Sequence, residues 1–101
     1  MGNKLGITII APPKGNKQYL TVYGGLRTLS PIKVEKIVLS IKGEKLTSWD
    51  WKPHIVTGDE PRYMDFYRPE WLRSGDYSAR LIAYTPDGYS KSEKSTLEVK
   101  D

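Results

Sequence analysis

The chain has 101 residues, with sixteen Lys and Arg against twelve Asp and Glu, a net charge of +4 and no cysteine. That length sustains one hydrophobic core but not two, and a chain without cysteine has neither a disulfide framework nor a thiolate metal centre. No stretch is long and apolar enough for a bilayer-spanning helix, so no membrane insertion is expected. Residues 1–101 are expected to be one domain. Its opening, Met1-Gly-Asn-Lys-Leu-Gly6, lacks the apolar run of a signal peptide. Residues 1–5 are expected to be a flexible lead-in or a junction left by excision from a longer chain.

Short strands separated by turn signals follow one another along the chain. Ile7 to Ala11 is a first strand, stopped by Pro12-Pro13-Lys-Gly-Asn16. Gln18 to Tyr23 is a second, reaching Gly24-Gly25, a bulge or a strand end. Val34 to Ile41 is a third, with Ile37, Leu39 and Ile41 on one face because strand side chains alternate with period two. It turns at Lys42-Gly43-Glu44 into a strand from Lys45 to Trp51, and a looser segment with Pro53 and Gly58 leads to Pro61. From Tyr63 to Arg68, Met64 and Phe66 alternate against Tyr63, Asp65 and Tyr67, which are expected to face outward. Pro69 to Gly75 is a corner with room for a single helical turn. Tyr77, Ala79, Leu81 and Ala83 then share one face of a strand. Thr85-Pro-Asp-Gly88 is a turn that sends the chain back as a hairpin, with Leu97 and Val99 inward. Turn signals every 8–12 residues or so mark an all-β sandwich. The expected fold is a single immunoglobulin-like β-sandwich of about seven antiparallel strands in two sheets. In such a sandwich Tyr77, just after Gly75-Asp76, is placed to form a tyrosine corner, its hydroxyl bonding back to nearby backbone.

The basic residues Lys33, Lys36, Lys42, Lys45, Lys91, Lys94 and Lys100 are spread along the chain between apolar or acidic neighbours. This is the pattern of solvated strand faces and guarded edges, so no nucleic-acid partner is expected. Catalysis is not expected either. His54 is the only histidine, and no Gly-x-Ser-x-Gly elbow accompanies it. Asp59-Glu60 lies in a Gly- and Pro-flanked loop and reads as solvated acids. No cofactor and no metal is called for.

The aromatic residues are the candidate ligand-binding set. Trp49 and Trp51 are two apart, so on a strand they share a face, and Trp71 lies in the corner near Tyr63 and Tyr67. Such rings fill a core, stack on sugars or anchor a protein contact. The candidates are Trp49, Trp51, Tyr63, Tyr67 and Trp71.

From Ile7 to Val99 the chain resembles the bacterial Ig-like domains that recur in secreted enzymes and surface proteins. The likeness rests on Ile7-Thr-Ile-Ile-Ala-Pro-Pro-Lys-Gly15, Val38-Leu-Ser-Ile-Lys-Gly43, Tyr63-Met-Asp-Phe-Tyr67, and Gly75-Asp-Tyr77 through Asp87-Gly88. The segment between Trp51 and Tyr63 is longer than that pattern. The resemblance implies a non-catalytic module, extracellular or at the cell surface, and brings no specific binding residues with it. The expected function is an accessory or adhesion module for protein contact or spacing. The alternatives are a carbohydrate-binding module with an aromatic strip, and a stand-alone viral structural or inhibitor-type protein.

Overall fold

Ten strands form among residues 5–14 and 18–100, the part of the chain that the computed structural model describes. They are β1 (Leu5–Lys14), β2 (Tyr19–Thr28), β3 (Ile32–Val34), β4 (Lys36–Ile41), β5 (Glu44–Thr47), β6 (His54–Val56), β7 (Asp59–Tyr67), β8 (Gly75–Thr85), β9 (Gly88–Lys91) and β10 (Ser95–Val99). Seven of them make the sandwich: β1-β2-β7 is one sheet and β10-β8-β4-β5 the other. The excess over about seven comes from β9, which continues the β10 side of β8, and from a separate β3-β6 ribbon. All pairings are antiparallel.

Alternation selects the core. Leu20, Val22 and Leu26 from β2, with Met64 and Phe66 from β7, point at Ile37, Leu39 and Ile41 of β4, Leu81 of β8 and Leu97 of β10. Each is almost wholly buried, and burying side chains of this size contributes roughly 1.5–3 kcal/mol apiece. Leu5 belongs to this cluster and pairs with Thr28, so β1 begins at a residue expected in the flexible lead-in. The remainder of that lead-in, residues 1–4, and residues 15–17 of the Pro-rich turn lie outside the described part.

Several boundaries differ from expectation for identifiable reasons. β1 runs on through Pro12 and Pro13 because it is an edge strand, where a missing N–H is tolerated, and its register shifts between Ile9 and Ala11 and again before Lys14. β2 continues through Gly24-Gly25 to Thr28. The expected third strand divides at Glu35, whose N–H bonds across to the Tyr84 carbonyl at 2.7 Å. The looser segment holds β6 and the start of β7, with Pro61 on the outer edge of the sheet. Lys42 and Gly43 both have positive φ, 54° and 81°, as a two-residue type I′ hairpin requires. The corner contains one hydrogen-bonded turn, Leu72 N–H to Pro69 carbonyl at 3.1 Å, and no helix. The tyrosine corner is present: the Tyr77 hydroxyl donates to the Arg73 carbonyl at 2.7 Å.

The closing hairpin needs one correction of phase. Ser90 pairs with Ala83 and Ser95 with Ala79, so five steps on one strand oppose four on the other. Without this bulge Thr96 and Glu98 would enter the core in place of Leu97 and Val99. Buried Ser92 repairs the ladder there. Its Oγ accepts the Leu81 N–H at 2.9 Å, while its own N–H donates to the Leu81 carbonyl at 2.8 Å. Ser92→Ala leaves the Leu81 N–H without that acceptor and is expected to cost about 1–3 kcal/mol in a urea melt.

Candidate contact surface

The sequence that buries Leu20, Val22, Met64 and Phe66 forces their neighbours outward. Cross-strand partners share a face, and the β2–β7 register places Tyr19 opposite Tyr67, Thr21 opposite Asp65 and Tyr23 opposite Tyr63. The result is two tyrosine pairs about 13 Å apart along the strands. A hydrogen bond from the Thr21 hydroxyl to the Asp65 carboxylate, 2.6 Å, lies between them.

Trp49 completes the first pair. Its ring centroid lies 5.8 Å from Tyr19 and 5.7 Å from Tyr67, and those two rings are 5.6 Å apart. Its backbone is fixed by a bond from its N–H to the Asp65 carbonyl at 3.1 Å. Asp50 next to it accepts from the Ser48 hydroxyl at 2.7 Å and from the Asp65 N–H at 3.3 Å. Tyr23 and Tyr63 lie 4.8 Å apart, with the Lys14 ammonium 4.9 Å from the Tyr63 ring. Trp49, Tyr63 and Tyr67 are 49%, 53% and 60% exposed. The rings are tilted against one another by 31° to 47°, so they form a pleated ledge with no common plane.

Of the five sequence candidates, the structure thus brings Trp49, Tyr63 and Tyr67 onto one face. Trp51 does not join them. β5 ends at Thr47, Ser48 bridges to Phe66 in the opposite sheet, and the alternation that would have kept Trp49 and Trp51 together stops there. Trp51 packs on the core and donates its indole N–H to the Val34 carbonyl at 3.3 Å. Its ring is bracketed by His54 at 4.8 Å and the Arg62 guanidinium at 4.9 Å. Glu60 ties the bracket together, 3.0 Å from His54 Nε2 and 3.6 Å from Arg62. The expected solvated acid is therefore half-buried in a salt-bridged cluster. Trp71 is 42% exposed in the corner and, among the described residues, makes no ring contact with the ledge.

Tyr19 and Tyr23 were missed as site residues. The same alternation, with Leu20 and Val22 inward, marks them as outward. Their placement against Tyr67 and Tyr63 depends on a register between strands about forty residues apart, which no local pattern contains.

Among the described residues no group of three or more His, Asp or Glu is placed to hold a metal ion. No protein-family model matches this chain, and no curated protein matches it either.

Proposed function

We propose that this protein is a non-catalytic immunoglobulin-like binding module, similar to the bacterial Ig-like domains. In this reading it is an accessory or adhesion unit of a surface or secreted protein and engages a partner protein through the outer face of β1-β2-β7. The observation that carries the reading is the ledge of exposed Trp49, Tyr67 and Tyr63 packed against half-buried Tyr19 and Tyr23. Contiguous exposed aromatic surface marks interaction sites, and Trp and Tyr are the residues that dominate protein contacts. The mutual tilt of the rings favours an irregular protein surface over a flat polymer.

A carbohydrate ligand is the second reading, favoured by the Thr21–Asp65 pair, which sets polar groups between two sets of rings as a sugar chain requires. One comparison tests both. Trp49→Ala/Tyr67→Ala and the wild-type domain are used side by side in affinity capture with quantitative mass spectrometry, and each is titrated with neutral glycans while tryptophan emission is followed. The protein reading expects a binder retained by wild type and lost from the variant, about 2 kcal/mol or more in affinity. Identical retention overturns it, and a saturable emission shift with one neutral glycan replaces it by the second reading.

A further inference from the structure

The opposite sheet gathers charge that the sequence disperses. Inward positions on β4 and β8 are Ile37, Leu39, Ile41, Leu81 and Ala83, and the alternate positions form the outer face, where Lys36 is exposed, Ser40, Arg80 and Tyr84 are half-buried, and Val38 and Ile82 are covered. The register places Lys45 and Arg80 on either side of Ser40, Lys91 beside Ile82, and Lys36 beside Tyr84. Lys45 and Arg80 are thus two strand spacings apart, about 10 Å. That is close to the screening length of about 8 Å at physiological salt, so their fields add.

Next to Arg80 the surface sinks into a depression of about 250 Å³ lined by Ser40, Lys42, Ser78, Arg80 and Lys94, with no carboxylate in its wall. Among the described residues none of Lys36, Lys42, Lys45, Arg80, Lys91 or Lys94 has a carboxylate partner within 4 Å. The acids of the same elements, Glu44 of β5 among them, are absent from the wall of the depression. Glu98 is engaged by Lys100 at 3.1 Å, Asp76 is opposite Glu98 at the far end of β8, Glu93 is in the bulge and Asp87 in the hairpin turn. Like charges gathered on one face repel one another, and a bound anion would relieve that repulsion.

We propose that the outer face of β5-β4-β8-β9 binds an anionic polysaccharide, with one sulfate or carboxylate seated in the Ser40–Arg80–Lys94 depression and further charges along Lys45 and Lys91. The face is distinct from the aromatic ledge and does not depend on it. A polysaccharide fits better than a single-stranded nucleic acid because continuous stacking platforms are missing. The one ring pair on this face among the described residues is Tyr84 and Tyr89, 6.0 Å apart and tilted by 39°, with Tyr84 half-buried under the Lys36 ammonium at 4.9 Å. Lysines outnumber arginine here, and ammonium point charges suit scattered sulfates or carboxylates, with serine hydroxyls at hand for sugar hydroxyls.

Heparin serves as the probe, with neutral dextran and single-stranded poly(dT) as comparators, measured by calorimetry from 50 to 300 mM NaCl. Wild type is expected to bind heparin and not dextran. Each neutralised charge contributes roughly 0.7–0.9 to the slope of log K against log salt on linear polyanions, giving a wild-type slope of about −3 to −4. Lys45→Gln/Lys91→Gln/Lys94→Gln is expected to lose about tenfold or more in affinity and about two units of slope. Arg27→Gln/Lys33→Gln/Lys52→Gln removes the same charge from other surfaces and is expected to change affinity by less than about threefold. Matching urea midpoints confirm that both variants are folded. Equal losses in the two triple variants reduce the effect to net charge and overturn the proposal. So does tighter binding of poly(dT) than heparin at matched salt, or no heparin binding at 150 mM.

Discussion

Phe66→Ala is expected to lower the unfolding free energy by about 3–5 kcal/mol, the range for truncating a buried aromatic ring. Phe66 is fully buried, pairs with Leu20 across the β2–β7 ladder, and bridges to Ser48 where the chain leaves β5 for the other sheet. A domain of this size has about 5–15 kcal/mol in total, so the loss removes a large fraction of its stability. The loss should appear in urea as a lower midpoint with an unchanged m-value. It should also reduce order in the ledge, because Asp65 and Tyr67 flank Phe66 and hold Trp49. A loss below about 1 kcal/mol would mean that Phe66 is not the ring at the centre of the core.

Gly24→Ala is expected to cost about 1–3 kcal/mol or more from overpacking. Gly24 faces the core at the point where β1 shifts register. A Cβ there would lie 2.8 Å from Leu81 Cδ1, 3.0 Å from the Thr8 carbonyl oxygen and 3.2 Å from Met64 Cε. The side-chain tips can move but the Thr8 backbone cannot, so relief is partial. Leu81→Ala alone leaves a cavity and costs about 2–5 kcal/mol. Together the two substitutions should cost less than their sum, because each partly answers the other. A double-mutant cycle in urea reads that coupling directly, and strict additivity would place Gly24 away from Leu81.

These two positions differ in how much of their role the sequence discloses. Phe66 is legible, since Tyr63 to Tyr67 alternates cleanly and only one phase buries Met64 with Phe66. The hairpin from Tyr77 to Val99 is equally plain in outline, because Pro86, Asp87 and Gly88 dictate a turn and Leu97 and Val99 have one way to face. Gly24 is not legible: a glycine pair in a strand signals close approach or a bulge, and which neighbour approaches depends on β1 and β8 meeting in space. The bulge at Ser92 is hidden for the same reason, as it settles a phase mismatch visible only once both strands are aligned.

The two surfaces divide in a similar way. The outward set Tyr63, Asp65 and Tyr67 follows from alternation. The companionship of Trp49 with Trp51 was inferred from alternation too, and fails because the strand ends at Thr47. The basic face escaped notice because its members come from β4, β5, β8, β9 and the loops beside them, spanning residues 36–94. Each lysine taken singly has an ordinary solvated position, and only the register of four strands turns single charges into a field.

The order of strands also governs how the domain carries tension. Leu5 lines a cleft together with Thr85 to Ser90, at one end of β8, whereas Val99 pairs with Gly75 at the other. β8 covers about 35 Å, most of the 41 Å long axis. β1 and β10 are neighbours and run in the same direction between those ends. Force applied at Leu5 and Val99 therefore acts along the strands, loading the β1–β2 and β8–β10 hydrogen bonds in shear so that they share the strain instead of unzipping one by one. Lifetime under such a pull is set by the unfolding barrier.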